Sequence, residues 1–201
     1  IVAALAVELT GDEQENVQVK ETDDIAAYDA FLKGWAHYLR WTPEDFIEAI
    51  SNFEKAVELD PKYWRAYAAL ARTYENASAN GWHSSLKISY MEARLRTRQY
   101  LEIAMKNPTS LAHQIAADME LELWQHDRAI GQAERAVAID PNDPTCQAVM
   151  AWVLINSGKE EKALDFIKKA MRLDPQNPGR YLLLLGYAHF AMGQLEDSVA
   201  F

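Results

Sequence analysis

The sequence predicts an all-α fold, a solenoid of stacked antiparallel helix pairs, and three observations predict it. One phrase recurs: FEKAVELDP (residues 53–61), AERAVAIDP (133–141) and IKKAMRLDP (167–175) each close an amphipathic helix with Asp-Pro, and YLEIAMKNP (100–108) is a copy with Asn for Asp. The copies keep a period: Pro141 to Pro175 is 34 residues, Pro108 to Pro141 is 33, and Pro61 to Pro108 is 47, or 34 plus an insertion of 13. A fixed period in this range marks a repeat architecture. The helices also carry a small–large–small pattern. Ala49, Phe53 and Ala56 precede Pro61, Ala163, Ile167 and Ala170 precede Pro175, and Ala129, Ala133 and Ala136 precede Pro141 with a smaller middle residue. Small residues let helices approach, large ones fill the gap, and Pro ends the hydrogen-bond ladder. Each pair leaves one face open for the next to cover.

A 34-residue period of paired helices resembles the tetratricopeptide repeat. Tyr67, Leu70, Ala71 and Tyr74 match its first helix, Leu185 and Gly186 match part of it in the last copy, and Gly158 and Gly193 fall in turns between helices. The resemblance implies about ten helices in a right-handed superhelix. The first helix of each pair would line a concave groove that takes a protein or peptide partner.

In chain order, residues 1–9 read as the tail of a helix from a preceding segment and 10–21 as a polar linker. Repeats fill 22–201, about four and a half of them. Thr22, Asp23 and Asp24 offer an N-cap, and the first helix is expected to reach about Trp41. Thr42 caps the second helix with Pro43 in its first turn. The second repeat starts at Tyr63. An insertion near 76–92 contains NASANGWHSS, and the helix after it is expected to be lengthened, over about 86–106. The third repeat covers about 110–140, the fourth 144–174, and the fifth 178–192 plus the start of another helix. Such an end should expose apolar surface around Leu184, Tyr187 and Ala188. The missing initiator Met and the helical text at both ends predict a piece of a longer protein.

Composition narrows the function. Lys plus Arg number 20 against 30 Asp plus Glu, a formal net charge of −10. A nucleic-acid partner calls for a basic face, and an anionic membrane would repel the chain, so neither is expected. The apolar run 1–7 is far short of the roughly 20 residues of a membrane-spanning helix. The single Cys146 rules out an internal disulfide and fits a cytoplasmic, reducing location.

Residues 1–60, with TDDIAAYDAFLKGWAHYLRWTPEDFIEAISNFEKAVELDP, and residues 133–175 are similar to the C-terminal repeat region of bacterial class III adenylate/guanylate cyclases. Similar repeats also follow DNA-binding domains in some bacterial regulators. The cyclase resemblance implies a regulatory or localising role in cAMP signalling, without carrying over any catalytic residue. Because class III catalytic sites form between two catalytic domains, a repeat region that self-associates as a homodimer would make physical sense. A repeat region of a transcriptional regulator and a free-standing adaptor are the alternatives.

Register places the candidate groove residues. The first repeat supplies Tyr28, Trp35 and Tyr38, with Phe31. The second adds Arg65, Arg72 and Asn76, the third Gln114 and Asp118. The fourth adds Trp152 and Asn156, the fifth Arg180 and Tyr187. Aromatic and Arg side chains dominate interface energetics. Phe31 and Trp35 also fit a core role against the N-terminal helix, and Arg65, Arg72 and Asn76 also fit plain solvated surface. Phe31 and Trp35 stand where chaperone-tail receptors carry Lys and Asn, which argues against that function. The five histidines show no HExxH-type pairing and read as structural or surface residues. Cys146 reads as a small buried hydrophobe. Trp82 and His83 in the insertion fit either a functional loop or a decoration packed on the lengthened helix. No metal, cofactor or catalytic site is expected: the carboxylates are spaced as solvated helix faces, and the glycines stand singly.

Overall fold

The computed structural model describes residues 21–194. Nine α-helices follow one another there: α1 (Ile25–Tyr38), α2 (Pro43–Leu59), α3 (Trp64–Ala79), α4 (Tyr90–Ala104), α5 (Ser110–Glu122), α6 (His126–Ile139), α7 (Pro144–Asn156), α8 (Glu160–Leu173) and α9 (Pro178–Ala191). No strand occurs among the described residues. The expected helix tail at 1–9, the linker up to Lys20 and the start of a tenth helix lie outside them.

Local chemistry sets the helix ends. The Asp24 carboxylate accepts from the Ala27 N–H at 2.9 Å, and the Thr42 hydroxyl accepts from the Asp45 N–H at 3.1 Å with Pro43 beside it. Ser89, Thr109 and Asp143 cap α4, α5 and α7 in the same way. Each such cap satisfies a donor that the helix cannot. At the other end, Asp60, Asp140 and Asp174 leave the helical conformation, with φ near −130°, −135° and −132°. A following proline disfavours the helical region for the residue before it, which is why all three Asp-Pro copies stop a helix at the same point.

Consecutive helices pair as α1–α2, α3–α4, α5–α6 and α7–α8, and each odd-numbered helix also touches the next odd one. The small residues of the repeat sit at these contacts. Ala49, Ala56, Ala129, Ala133, Ala136, Ala163 and Ala170 are completely buried, with Phe53 and Ile167 between them. The closest approach is at Gly34, where a Cβ would stand 2.7 Å from the Phe53 ring. Phe31 packs on Phe53 and Tyr63, with ring centroids 5.6 and 5.1 Å apart. It is therefore core, but against α2 and the start of α3.

Three expectations need correction. The first helix stops at Tyr38, short of Trp41, because the chain turns there into a left-handed residue, Trp41 at φ 56°. The helix after the insertion is not lengthened. The extra residues extend α3 to Ala79 and form a 3-10 turn at Trp82–Ser84, so that α4 begins only at Tyr90. Trp82 accordingly packs edge-on against Phe46 in the first turn of α2 and against Trp41 in the turn before it, at 4.9 and 5.6 Å. On α9, Ala188 is buried, whereas Leu183, Tyr187 and Phe190 are exposed at 61%, 47% and 63%.

Candidate functional site

The odd-numbered helices, the loops beside them and the last residue of α6 line one large groove of about 1340 Å³. Its lining follows helical stripes at i, i+3, i+4 and i+7: Thr145, Ala148, Val149 and Trp152 on α7, and Arg180, Leu183, Leu184 and Tyr187 on α9. Residues at that spacing share one face of a helix. Of the twelve candidates, the structure brings ten to this groove: Trp35, Tyr38, Arg65, Arg72, Asn76, Gln114, Asp118, Trp152, Arg180 and Tyr187. Tyr28 and Asn156 are not part of it. Tyr28 lies at the start of α1, 46% exposed and two turns from Trp35. Asn156 ends α7, where its amide donates back to the Trp152 carbonyl at 2.8 Å.

The walls are aromatic on two sides. Trp35 stacks on Tyr38 at 4.9 Å, Tyr38 meets Trp41 edge-on at 5.8 Å, and Trp152 meets Tyr187 at 5.9 Å. Trp35 thus combines the two roles open to it, half-buried against Phe31 and Phe53 while lining the groove.

The polar floor is tied together across repeats. Arg72 Nη1 donates to Glu75 Oε2 at 2.6 Å and to Asp118 Oδ2 at 2.8 Å. The Asn76 amide donates to the Tyr38 hydroxyl at 2.7 Å, and Arg65 pairs with Glu21 while lying over the Phe31 ring. These three side chains thus each have a partner within the chain. Gln114, 2% exposed, donates to Asp143 and to the Cys146 sulfur, and its Oε1 has no partner. Burial raises the Tyr38 hydroxyl pKa and, more strongly, that of the Cys146 thiol, which stays protonated. Desolvation also raises Glu75: Arg72 opposes this, while Asp118 and Glu122 add to it. Two carboxylates thus share one guanidinium, and burial holds the proton of Glu75 above the ordinary carboxylate range.

Sequence reasoning missed Trp41, Trp64, Leu111, Asp140, Asp143, Leu183 and Leu184 in the lining. The periodic stripe would have found the last two. Asp140 and Asp143 belong to an inter-helix loop, which helix register cannot place. The histidines serve structural contacts, for example His113 with Gln132 at 2.7 Å and His37 with Asp45 at 2.8 Å. Among the described residues no cluster of His, Cys, Asp or Glu is arranged to hold a metal ion, and no helix is long and apolar enough to cross a membrane.

Three family models, each described as tetratricopeptide repeat, match residues 39–63, 52–85 and 121–185, together more than half of the chain. Superkiller protein 3 of Schizosaccharomyces pombe is 27% identical over 133 residues, 66% of this chain, which spans only 9% of that relative. Among solved structures, MamA is 18% identical with a TM-score of 0.51, covering 82% of this chain and 88% of its own. YrrB, described as a TPR protein with an unusual peptide-binding site, is 17% identical with a TM-score of 0.50, covering 95% and 88%. PilW, a type IV pilus biogenesis factor, is 18% identical with a TM-score of 0.50, covering 88% and 90%. At such identities the structural likeness shows the fold alone. The recurring Asp-Pro helix ends, the buried Ala positions of the paired helices and the three matching models make this chain a tetratricopeptide-repeat protein.

Proposed function

We propose that the chain is a non-catalytic interaction scaffold that holds a segment of a partner protein in the groove of its odd-numbered helices. The observation that carries this reading is the convergence of ten side chains from five helices, four of them aromatic, on one open trough. A helix 10–12 Å across, rising 1.5 Å per residue, occupies about 120–170 Å³ per residue, so the groove takes about eight to eleven residues. Buried aromatic anchors supply most of the energy in such contacts. A photoreactive residue at Tyr187, in the groove, is compared with one at Leu95, exposed on α4. Crosslinks to a partner from position 187 and not from 95 are expected. The reverse pattern would put the partner on the outer helices and refute the groove reading.

A finer reading makes these repeats the regulatory region of a bacterial adenylate/guanylate cyclase in the cytoplasm, with self-association bringing catalytic domains together. The wording of residues 1–60 and 133–175 supports it; the family models and the relative speak to the repeats alone. The coding sequence upstream of Ile1 decides between parents. A class III cyclase domain there supports this reading, while a helix-turn-helix domain replaces it with a transcriptional regulator. Sedimentation that shows a strict monomer over a wide concentration range would remove the self-association step.

A further inference from the structure

The charged side chains lining the groove differ in how fully they are used. Every acid already has a donor. Glu21 accepts from Arg65 and Tyr63, and Asp118 from Arg72. Asp140 accepts from the backbone N–H groups of Asn142 and Asp143. Asp143 accepts from the Thr145 N–H at 2.8 Å and the Gln114 amide at 3.2 Å. The guanidinium groups have donors to spare. Arg72 directs Nη1 at Glu75 and Asp118, while its Nη2 is buried with no acceptor. Arg180 is exposed on α9 and makes no ion pair among the described residues. Both line the same groove, Arg72 from α3 and Arg180 from α9, and both positive charges act on the Tyr38 hydroxyl that lines it with them.

Aromatic walls stand on either side of that stretch, Trp35 and Trp41 toward α1, and Trp152 and Tyr187 toward α7 and α9. We infer that the groove selects a peptide segment with an internal Asp or Glu between apolar side chains, its carboxylate held by Arg180 and Arg72. The inference rests on the groove reading above. A guanidinium presents its donors in a planar fork that matches a carboxylate, and a buried donor without an acceptor favours any ligand that supplies one. Arg180 is the accessible half of the pair, and Arg72, its side chain 12% exposed, is the half fixed by Glu75 and Asp118. Chain on both sides of the carboxylate lets apolar side chains reach both aromatic flanks, whereas a terminal carboxylate leaves one flank empty. The net charge of −10 opposes an acidic ligand at long range, but that repulsion is screened beyond about 8 Å at physiological ionic strength.

The test is selection of random ten-residue peptides, displayed between two carrier domains so that no free terminus exists, against the full chain and against R180E. Selected wild-type binders are expected to be enriched in a central Asp or Glu flanked by apolar residues. Against R180E the preference should turn to Lys or Arg at that position. A selected peptide remade with Gln for its acid should bind about tenfold more weakly or worse, the factor carried by a hydrogen bond between charged groups. Binders with no acidic preference, or the same preference against R180E, would overturn the carboxylate inference and leave the groove reading standing. If no peptide from either this library or a free-ended one is enriched over a chain carrying W152A and Y187A, the groove reading itself falls. A free-ended library that succeeds where the internal one fails would assign the site to a terminal carboxylate and overturn the internal one.

Discussion

E75Q exposes how the groove floor is held. Glu75 is 6% exposed and accepts from Arg72 Nη1 at 2.6 Å, while Asp118 accepts from the same nitrogen. Burial raises the Glu75 pKa above the ordinary value of 4.5. Folded Glu75 therefore keeps its proton at pH values where the unfolded chain has lost it. Over that window the folded state binds more protons, so stability falls as pH rises. The contribution is complete below the unfolded value near 4.5 and disappears as pH passes the raised folded value. While the window lasts, the slope is at most about 1.4 kcal/mol per pH unit. A glutamine keeps the acceptor for Arg72 and does not titrate. E75Q should therefore gain on the wild type by up to about 1.4 kcal/mol for each unit above pH 4.5 until the wild-type Glu75 ionises in the fold. Urea unfolding of both proteins at unit steps from pH 4 to 9 measures the difference directly, and histidine titration cancels in it. Parallel pH profiles, or a wild type that gains on E75Q as pH rises, would refute the assignment of a proton to buried Glu75.

Further outcomes follow from single contacts. R72M leaves Asp118 without its cation and buried Glu75 without its donor, and should cost about 3–5 kcal/mol in chemical unfolding. G34A pushes a methyl against the Phe53 ring and should cost about 1–3 kcal/mol, and substitution of Phe53 by Leu in the same chain should recover part of that loss. Two glycines should respond with opposite sign. Gly131 lies in the middle of α6 with open space around it, so G131A should stabilise by about 0.5–1 kcal/mol. Gly158 sits at φ 69°, where a side chain is strained, so G158A should destabilise by about 1–2 kcal/mol. Thermal melts of the pair check both signs.

The repeat was legible because its signals are short-range. An Asp before a Pro, or an Ala three or four residues from another Ala, has the same consequence wherever it stands, and Ala129, Ala136, Ala163 and Ala170 all proved buried. Most of the groove was legible for the same reason, since helix register fixes which side chains share a face. Register fails at helix ends, which is where Tyr28 and Asn156 lie. The insertion misled because Ala77 and Ser78 read as loop next to Gly81, yet both are buried in α3, where packing outweighs a weak local preference. Glu75 gave no signal at all. A glutamate on a helix reads as solvated, and what buries it, the bridge from Arg72 to Asp118, joins residues 46 positions apart.

The solenoid transmits load only from neighbour to neighbour, α1 to α3, α3 to α5, and on to α9. Its curvature is thus the sum of several small hinges, each with its own compliance. A segment that touches Trp35 on α1 and Tyr187 on α9 at once ties the two ends of that spring. Occupancy of the groove should then register as stiffness far from any contact, with slower amide exchange in α4 and α8, which line none of it.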